Sequence, residues 1–254
     1  MSLKNCIALV SGAASGLGRA TAERLVRHGA RVVCADLNVD ALDKVVKSLG
    51  PTAMFHKVDV TSAEDVGAAL DLAESSFGTV NTVVSCAGIA VATRTLSKKG
   101  PHSLEDFSKV LHVNTLGTFN VLRLAAERMS NTTPDAGGQR GVIINTASVA
   151  AYDGQIGQVA YAASKAAIVG MTLPIARDLS KQGIRICTIA PGLFKTPLLA
   201  GLPEKVQNEL AATVPNPSRL GDPDEFAHLV QTIIENQMLN GETIRLDGAL
   251  RMAP

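Results

Sequence analysis

Short, apolar, β-branched runs alternate along this chain with amphipathic segments of helical length. The runs are apolar throughout rather than at every second position, which is the pattern of strands buried on both faces. Because parallel strands need helical crossovers, the alternation predicts an α/β fold, a Rossmann-type doubly wound parallel sheet of about seven strands with helices on both faces. The predicted strands are Ile7 to Val10, Arg31 to Ala35, Thr52 to Val58, Thr82 to Ser85, Val142 to Thr146, Ile184 to Ile189 and Thr243 to Leu246.

No linker or internal repeat interrupts this alternation. We therefore expect one domain over residues 1–254, with a cofactor half over about 1–150 and a catalytic and substrate half over about 140–254. Thr61 followed by Glu64, and Asp222-Pro223 followed by Glu225, predict two helix starts.

Composition and charge narrow the possible functions. The chain has 254 residues, 46% of them hydrophobic, and a formal net charge of +1, so we expect a buried core and no autonomous binding to nucleic acid. No apolar stretch approaches the roughly 20 residues of a membrane span, and no charged-then-apolar leader is visible. The cysteines lack metal-ligand spacing and are predicted to be free thiols in a reducing compartment, with no metal site: Cys6, Cys34, Cys86 and Cys187.

A glycine-rich turn follows the first predicted strand. The sequence SGAASGLG places glycines at 12, 16 and 18 and opens a helix (Gly12, Gly16 and Gly18). Glycines permit a tight turn and let the diphosphate of a dinucleotide approach the helix N-terminus, although an ordinary βα turn can also be rich in glycine. Asp36 ends the second strand 18 residues after Gly18, where a carboxylate accepts hydrogen bonds from an adenosine ribose. This combination predicts a dinucleotide site.

Asp36 also predicts which dinucleotide binds. A 2′-phosphate placed against this carboxylate would bring like charges into contact. No base compensates, because Ser15 precedes the second glycine and Leu37 follows Asp36. We therefore expect NAD rather than NADP. Asp59-Val60 and Cys86 end the third and fourth strands at the same edge, and Asp59 is either a cofactor contact or a helix-capping or turn carboxylate.

Tyr161 and Lys165 are four residues apart, hence on one face if their segment is helical. A free tyrosine titrates near 10, so its use as an acid or base near neutral pH requires its pKa to fall by about 2 to 3 units. A lysine cation and an oxidised nicotinamide both act in that direction. Taken alone, the pair is more typical of a solvated helix surface.

Two further polar residues fit the same pocket. Ser148 follows a strand end, where its hydroxyl could orient a substrate oxygen toward Tyr161, or simply stabilise a turn. Asn114 lies in an otherwise apolar predicted helix, where its amide either holds a water that connects Lys165 to solvent or packs one helix on another.

These motifs together resemble the short-chain dehydrogenase/reductase family along the whole chain. Longer runs, such as Gly138 to Ala151 and Gly170 to Leu179, resemble a branch that oxidises 3-hydroxyacyl-CoA thioesters and hydroxysteroids. The resemblance implies that Tyr161 is the proton acceptor, Ser148 contacts substrate, Lys165 positions the ribose and Asn114 completes a proton relay. It also implies NAD contacts from Ser15, Leu17, Asp36, Asp59, Val60, Cys86, Tyr161, Lys165, Phe194 and Thr196.

The resemblance implies the biological setting as well. The expected substrates are 3-hydroxyacyl-CoA thioesters, including 2-methyl-3-hydroxybutyryl-CoA, and 17β-hydroxysteroids, oxidised by a mitochondrial homotetramer. The cytosol is the alternative location. The alternative functions are an NADPH-dependent 3-oxoacyl reductase, which Asp36 disfavours, and a scaffold subunit of a mitochondrial tRNA-processing complex as a second role.

Three segments depart from the family pattern or have a role that the sequence leaves undecided. Ser85 and Cys86 replace the asparagines that the family usually carries before Ala87-Gly88. Lys98-Lys99, in an insertion, either contact coenzyme A phosphates or are solvated. The segment Leu193 to Pro217 is predicted to be a helical flap over the substrate pocket, with core packing as the alternative.

Overall fold

Seven parallel strands form the central sheet, as the sequence predicts. The computed structural model describes residues 2–254, apart from the side chains of Leu198 and Ala200. The strand order is β3-β2-β1-β4-β7-β8-β9, and β5 pairs with β6 in a separate antiparallel hairpin. The strands are β1 (Ile7–Ser11), β2 (Arg31–Asp36), β3 (Ala53–Lys57), β4 (Thr82–Ser85), β5 (Leu96–Ser97), β6 (Gly100–Pro101), β7 (Gly141–Thr146), β8 (Ile184–Pro191) and β9 (Thr243–Leu246).

Helices cover both faces of the sheet, because successive strand residues point to opposite sides. Val10, Val32 and Ile144 pack on one face with Phe226 of α9, whereas neighbouring strand residues such as Ile143 pack on the other. The helices are α1 (Gly16–Arg27), α2 (Val39–Leu49), α3 (Ala63–Ser76), α4 (Leu104–Leu111), α5 (Thr118–Ser130), α6 (Val159–Asp178), α7 (Pro197–Ala200), α8 (Glu204–Ala212) and α9 (Pro223–Glu235). A π-helical segment, His112–Gly117, joins α4 to α5.

The two predicted helix starts have different outcomes. Asp222 caps α9 with a full capping box and Pro223 at the first helical turn, as predicted. For α3 the prediction is wrong by one residue, because Ser62 rather than Thr61 is the N-cap and accepts a hydrogen bond from the backbone N–H of Asp65. The Thr61 hydroxyl is instead bonded to the carboxylate of Asp59.

Helix α6 corrects the expectation that no apolar stretch approaches the length of a membrane span. Among the described helices it alone is long and apolar enough to cross a membrane, with 20 residues. It is nevertheless packed in the core, where Ser164, Lys165 and Thr172 are buried and Thr172 shares a 2.6 Å hydrogen bond with Thr188 of β8. Small residues that pack closely on a sheet explain its apolar composition. One face of the helix therefore packs in the interior of the fold, while Val159 and Leu173 are exposed.

Candidate active site

The carboxyl ends of β1, β2 and β4 border a cavity of about 750 Å³. Such a crevice, at the point where the strand order reverses, is where open α/β sheets bind their ligands. The cavity brings together ten of the predicted cofactor residues: Gly12, Ser15, Gly16, Leu17, Gly18, Asp36, Asp59, Val60, Cys86 and Thr196. Three predicted cofactor residues do not line it: Tyr161 and Lys165, which lie beside it, and Phe194, whose buried ring packs on Gly221 beside a smaller cavity.

The glycine turn has the geometry that a diphosphate requires. Gly12 has a φ of +68°, and a Cβ there would lie 2.8 Å from the backbone N of Ala87. A Cβ on Gly18 would overlap the carbonyl oxygen of Gly12. Ser15, the N-cap of α1, makes no side-chain capping bond, so the first N–H groups of α1 face the cavity without a side-chain partner. The turn therefore fits a dinucleotide.

Gly18→Ala should disrupt this turn. The added methyl group has no space against the Gly12 carbonyl, so we expect a loss of about 1–3 kcal/mol in the free energy of unfolding. NADH affinity should fall by roughly tenfold or more. Thermal unfolding and NADH fluorescence measure the two effects.

Gly67→Ala in α3 is the matched control. A Cβ on Gly67 meets nothing within 4 Å, so this variant should gain about 0.5–1 kcal/mol of stability and keep its NADH affinity. A Gly18→Ala protein that binds NADH normally would contradict the assignment of the turn.

Two backbone amides hold the Asp36 carboxylate in place. Ala14 N–H donates to Oδ2 at 3.2 Å and Asn38 N–H to Oδ1 at 3.1 Å. Each oxygen keeps a further lone pair, and Asp36 lines the cavity, so ribose hydroxyls can still donate to it. Asp59 lines the same cavity, and its Oδ1 also accepts hydrogen bonds from the Thr61 N–H and hydroxyl at 2.9 and 2.7 Å. Asp59 therefore stabilises the turn after β3, and its contact with the cofactor stays a prediction.

Ser148, Tyr161 and Lys165 converge beside this cavity. Ser148 follows β7, its Oγ accepts the Ala150 N–H at 3.1 Å, and it is hydrogen bonded to Tyr161. Lys165 Nζ donates to the Thr146 carbonyl at 2.8 Å and lies 5.7 Å from the centre of the Tyr161 ring. Tyr161 and Lys165 therefore lie on the same face of α6, as predicted.

Burial shifts the pKa of both titratable groups. It raises the pKa of the Tyr161 phenol, and the Ser148 hydrogen bond opposes that shift. It lowers the pKa of the Lys165 ammonium to about 8. The fall in the phenol pKa that was predicted beside Lys165 is therefore not found in the protein by itself, because desolvation has the largest effect. An oxidised nicotinamide, the second cation in that prediction, would act in the downward direction.

Asn114 occupies the π-helical segment and is fully buried. Its side chain accepts the Ile89 N–H at 2.8 Å and donates to the Ile89 carbonyl and to Ser164 Oγ, both at 2.9 Å. Ser164 Oγ in turn donates to the Tyr161 carbonyl at 2.7 Å. A Cβ on Gly88 would lie 3.2 Å from the Asn114 Oδ1 and 3.6 Å from the Lys165 Nζ, so the two groups flank one glycine. The side chain of Asn114 braces this loop, which is the packing alternative; its part in a proton relay stays a prediction.

The sequence did not predict four residues of the site. Ser164 and the Thr146 carbonyl hold Tyr161 and Lys165 as described above, and Lys109 and Val113 line the dinucleotide cavity from the end of α4 and the π-helical segment. The four-residue spacing of Lys109 and Val113, which puts them on one helical face, was the available signal. A backbone carbonyl such as that of Thr146 leaves no signal in a sequence.

Cys86 takes part in the site without acting as a nucleophile. Its thiol accepts a hydrogen bond from the Thr146 hydroxyl at 3.4 Å, and burial raises its pKa to about 11. All four cysteines are free, as predicted. Within residues 2–254 no group of three His, Cys, Asp or Glu side chains is arranged to hold a metal ion.

The segment predicted to be a flap is helical, and an unexpected hairpin lies in the predicted insertion. Leu193 to Pro217 contains the short helices α7 and α8, whereas its position over the substrate pocket stays a prediction. Lys98 and Lys99 are in the exposed turn between β5 and β6. A second cavity of about 580 Å³ lies between this hairpin and the start of α6.

Comparison with known proteins agrees with this geometry. A family model described as "short chain dehydrogenase" matches residues 6–207. The chain is 62% identical to "3-hydroxyacyl-CoA dehydrogenase type-2" of Drosophila melanogaster, over 99% of this chain and 100% of that protein. It is 63% identical to the Homo sapiens protein of the same name, over 100% and 98%. These relatives carry the name of the branch that the sequence motifs resemble.

Solved structures show the same fold. The "3-hydroxyacyl-CoA dehydrogenase type-2 from Mycobacterium avium" superposes with a TM-score of 0.94 at 43% identity, covering 97% of this chain and 96% of that one. A "3-ketoacyl-(acyl-carrier-protein) reductase from Brucella melitensis complexed with NADH" superposes with a TM-score of 0.87 at 28% identity, covering 96% and 98%.

Proposed function

This chain belongs to the short-chain dehydrogenase family and is a dehydrogenase, and we propose that it oxidises 3-hydroxyacyl-CoA thioesters to 3-oxoacyl-CoA thioesters with NAD as the hydride acceptor. The observation that carries the proposal is the convergence of Ser148, Tyr161 and Lys165 at the edge of the dinucleotide cavity. A hydroxyl, a phenol and a cation in that arrangement suit the removal of a proton from an alcohol.

In the proposed mechanism the Ser148 hydroxyl orients the substrate C3 oxygen toward the Tyr161 phenolate. Tyr161 takes the proton from the substrate hydroxyl as the hydride leaves C3, so the C–O single bond becomes a carbonyl. NAD, when bound, supplies the hydride acceptor. Lys165 stabilises the phenolate through its positive charge, and the Thr146 carbonyl keeps its ammonium beside the ring. Because the site is buried, these charges act in a low dielectric.

The choice of NAD over NADP rests on Asp36. Its carboxylate is fixed by two backbone N–H groups at the place where the 2′ position of an adenosine ribose is read. Leu37, beside it, is exposed and offers no positive charge to a phosphate. The reductase alternative with NADPH is disfavoured for this reason.

A thioester of coenzyme A fits the charges around the second cavity. Arg94 lines that cavity, and Lys98 and Lys99 are in the neighbouring turn. In the described part of the chain none of these three cations takes part in a salt bridge. Their charges therefore suit the phosphates of coenzyme A, which are strongly anionic. The names of the relatives favour the same substrate class.

The setting is part of the proposal. We place the enzyme in mitochondria as a homotetramer, with 17β-hydroxysteroids as further substrates and a tRNA-processing scaffold as a possible second role. Exposed apolar side chains on α5, α6 and the π-helical segment, Phe119, Leu173 and Leu116, support assembly. Light scattering and cell fractionation test the assembly and the location.

The decisive experiment is NADH formation by the purified protein. Its substrates are both enantiomers of 3-hydroxybutyryl-CoA, 2-methyl-3-hydroxybutyryl-CoA and estradiol, with NADP in parallel. Fast NAD-linked oxidation of a thioester is the expected result. NADH binding without turnover of any thioester would leave the family intact and refute the proposed substrate class.

A further inference from the structure

We propose that the C-terminal segment, residues 247–254, forms one wall of the substrate site and that the Asp153–Arg245 ion pair holds this wall in position. The inference rests on the proposed function, because it assigns the second cavity to the part of the thioester that extends beyond the reacting carbons.

The end of the chain closes the second cavity. One side of that cavity is formed by residues 154–159 and Ala162, the other by Arg94 to Leu96, and Pro254 completes it. Ala162, which lines this cavity, directly follows Tyr161 in α6. Gln155 Nε2 donates to the Ala253 carbonyl at 2.9 Å, which attaches the end of the chain to the loop between Ser148 and Tyr161.

Arg245, on β9, is the centre of a partly buried charge network. Its Nη2 donates to Asp153 at 2.6 Å and to the Leu250 carbonyl at 2.9 Å, and its Nε donates to Asp247 at 2.7 Å. The side chains of Arg245, Asp153 and Asp247 are only 21%, 18% and 8% exposed. Arg245 and the backbone N–H of Met252 keep the pKa of Asp153 below its usual range. Charge-assisted hydrogen bonds of this kind are stronger than exposed ion pairs.

The same segment also contacts the flap. Asn216 N–H donates to the Gly248 carbonyl at 3.2 Å, and a Cβ on Gly248 would overlap the Val214 side chain. Ala249 has a φ of +68°, and the Asp247 carboxylate accepts its N–H at 3.0 Å. A non-glycine residue keeps a left-handed conformation only where its surroundings fix it, and such residues cluster at functional sites.

The C-terminal segment therefore joins the loop after Ser148 to the flap and closes the cavity between the loop and the hairpin. If the cavity holds the coenzyme A end of the substrate, release of this wall weakens binding of that end alone. The dinucleotide cavity lies elsewhere and shares none of these residues.

The test compares two thioesters of 3-hydroxybutyrate, one with coenzyme A and one with N-acetylcysteamine, which has the same reacting carbons but lacks the nucleotide. In Asp153→Asn the KM for the coenzyme A thioester should rise roughly 10-fold, the effect of losing one charge-assisted hydrogen bond, with kcat nearly unchanged. The KM for the short thioester and the NADH affinity should change less than about 2-fold. Deletion of the exposed Ala253 and Pro254, which leaves the core unchanged, should likewise raise the KM for the coenzyme A thioester and not that for the short thioester.

Asp71→Asn is the matched control, since it removes a 2.7 Å ion pair with Arg128 between α3 and α5. It should leave both KM values unchanged. An equal rise for both thioesters, or no rise in either the Asp153→Asn protein or the deletion, would overturn the proposal. Wild-type protein that oxidises neither thioester refutes the proposed function instead, so the two failures are distinct.

Discussion

Tyr161→Phe lowers kcat with every alcohol substrate by roughly 10²- to 10⁴-fold, the contribution of a positioned general base. The variant removes one oxygen atom and keeps the ring, so α6 packs as before. Only the hydrogen bond to Ser148 and the acceptor for the substrate proton are lost. NADH affinity should stay within about 2-fold, because Tyr161 does not line the dinucleotide cavity.

Tyr152→Phe is the control for this change, since Tyr152 is the second of two tyrosines in the chain and is half-exposed. It should retain turnover. Stopped-flow NADH formation measures kcat, and quenching of NADH fluorescence measures the affinity. Turnover of Tyr161→Phe near the wild-type rate would remove Tyr161 from the mechanism.

The combined change Asp36→Ala and Leu37→Arg should invert the coenzyme preference. In the wild type, a 2′-phosphate beside Asp36 costs several kcal/mol, so NAD should be preferred over NADP by roughly 10²-fold or more in kcat/KM. The variant removes the carboxylate and supplies a cation that pairs with phosphate. We expect kcat/KM with NADP to rise by a similar factor and that with NAD to fall.

Initial rates with both coenzymes check this inversion, and thermal unfolding checks that loss of the Ala14 and Asn38 hydrogen bonds leaves the protein folded. Asp43→Ala, on α2, removes an acidic residue that pairs with Lys47 outside the cavity, and it should leave the preference unchanged. Wild-type protein that uses the two coenzymes equally would show that Asp36 does not read the 2′ position.

The elements that the sequence predicts well are those with a strong physical constraint. The five inner strands, β1, β2, β4, β7 and β8, are buried along most of their length and are mostly apolar, so their positions can be predicted from composition. The edge strands β3 and β9 are half-buried and carry charged residues. Tyr161 and Lys165 are predicted together because helical spacing fixes their common face. The glycine turn can be predicted from the sequence because a Cβ on Gly18 has no space.

The remaining features depend on contacts distant in the sequence. The β5–β6 hairpin has only two residue pairs, too few to give an alternating pattern. The place of Phe194 was predicted from its position after a strand, but its ring packs on Gly221 and lines a different, smaller cavity. The rise in the pKa of Tyr161 follows from burial, which sequence spacing does not measure.

The strand order also bears on how the chain is made. β2 pairs with β1, β3 with β2, and β4 with the free edge of β1; β7, β8 and β9 then pair in turn with β4, β7 and β8. Each new strand thus finds its partner already synthesised, and none has to be inserted between two paired strands. Since domains begin to fold from the N-terminus during translation, the sheet can grow outward from β1 as the ribosome delivers it. The strand ends that border the crevice, those of β1, β2 and β4, are then in place before Ser148, Tyr161 and Lys165 have left the ribosome, and Thr196 and Pro197 join its lining afterwards.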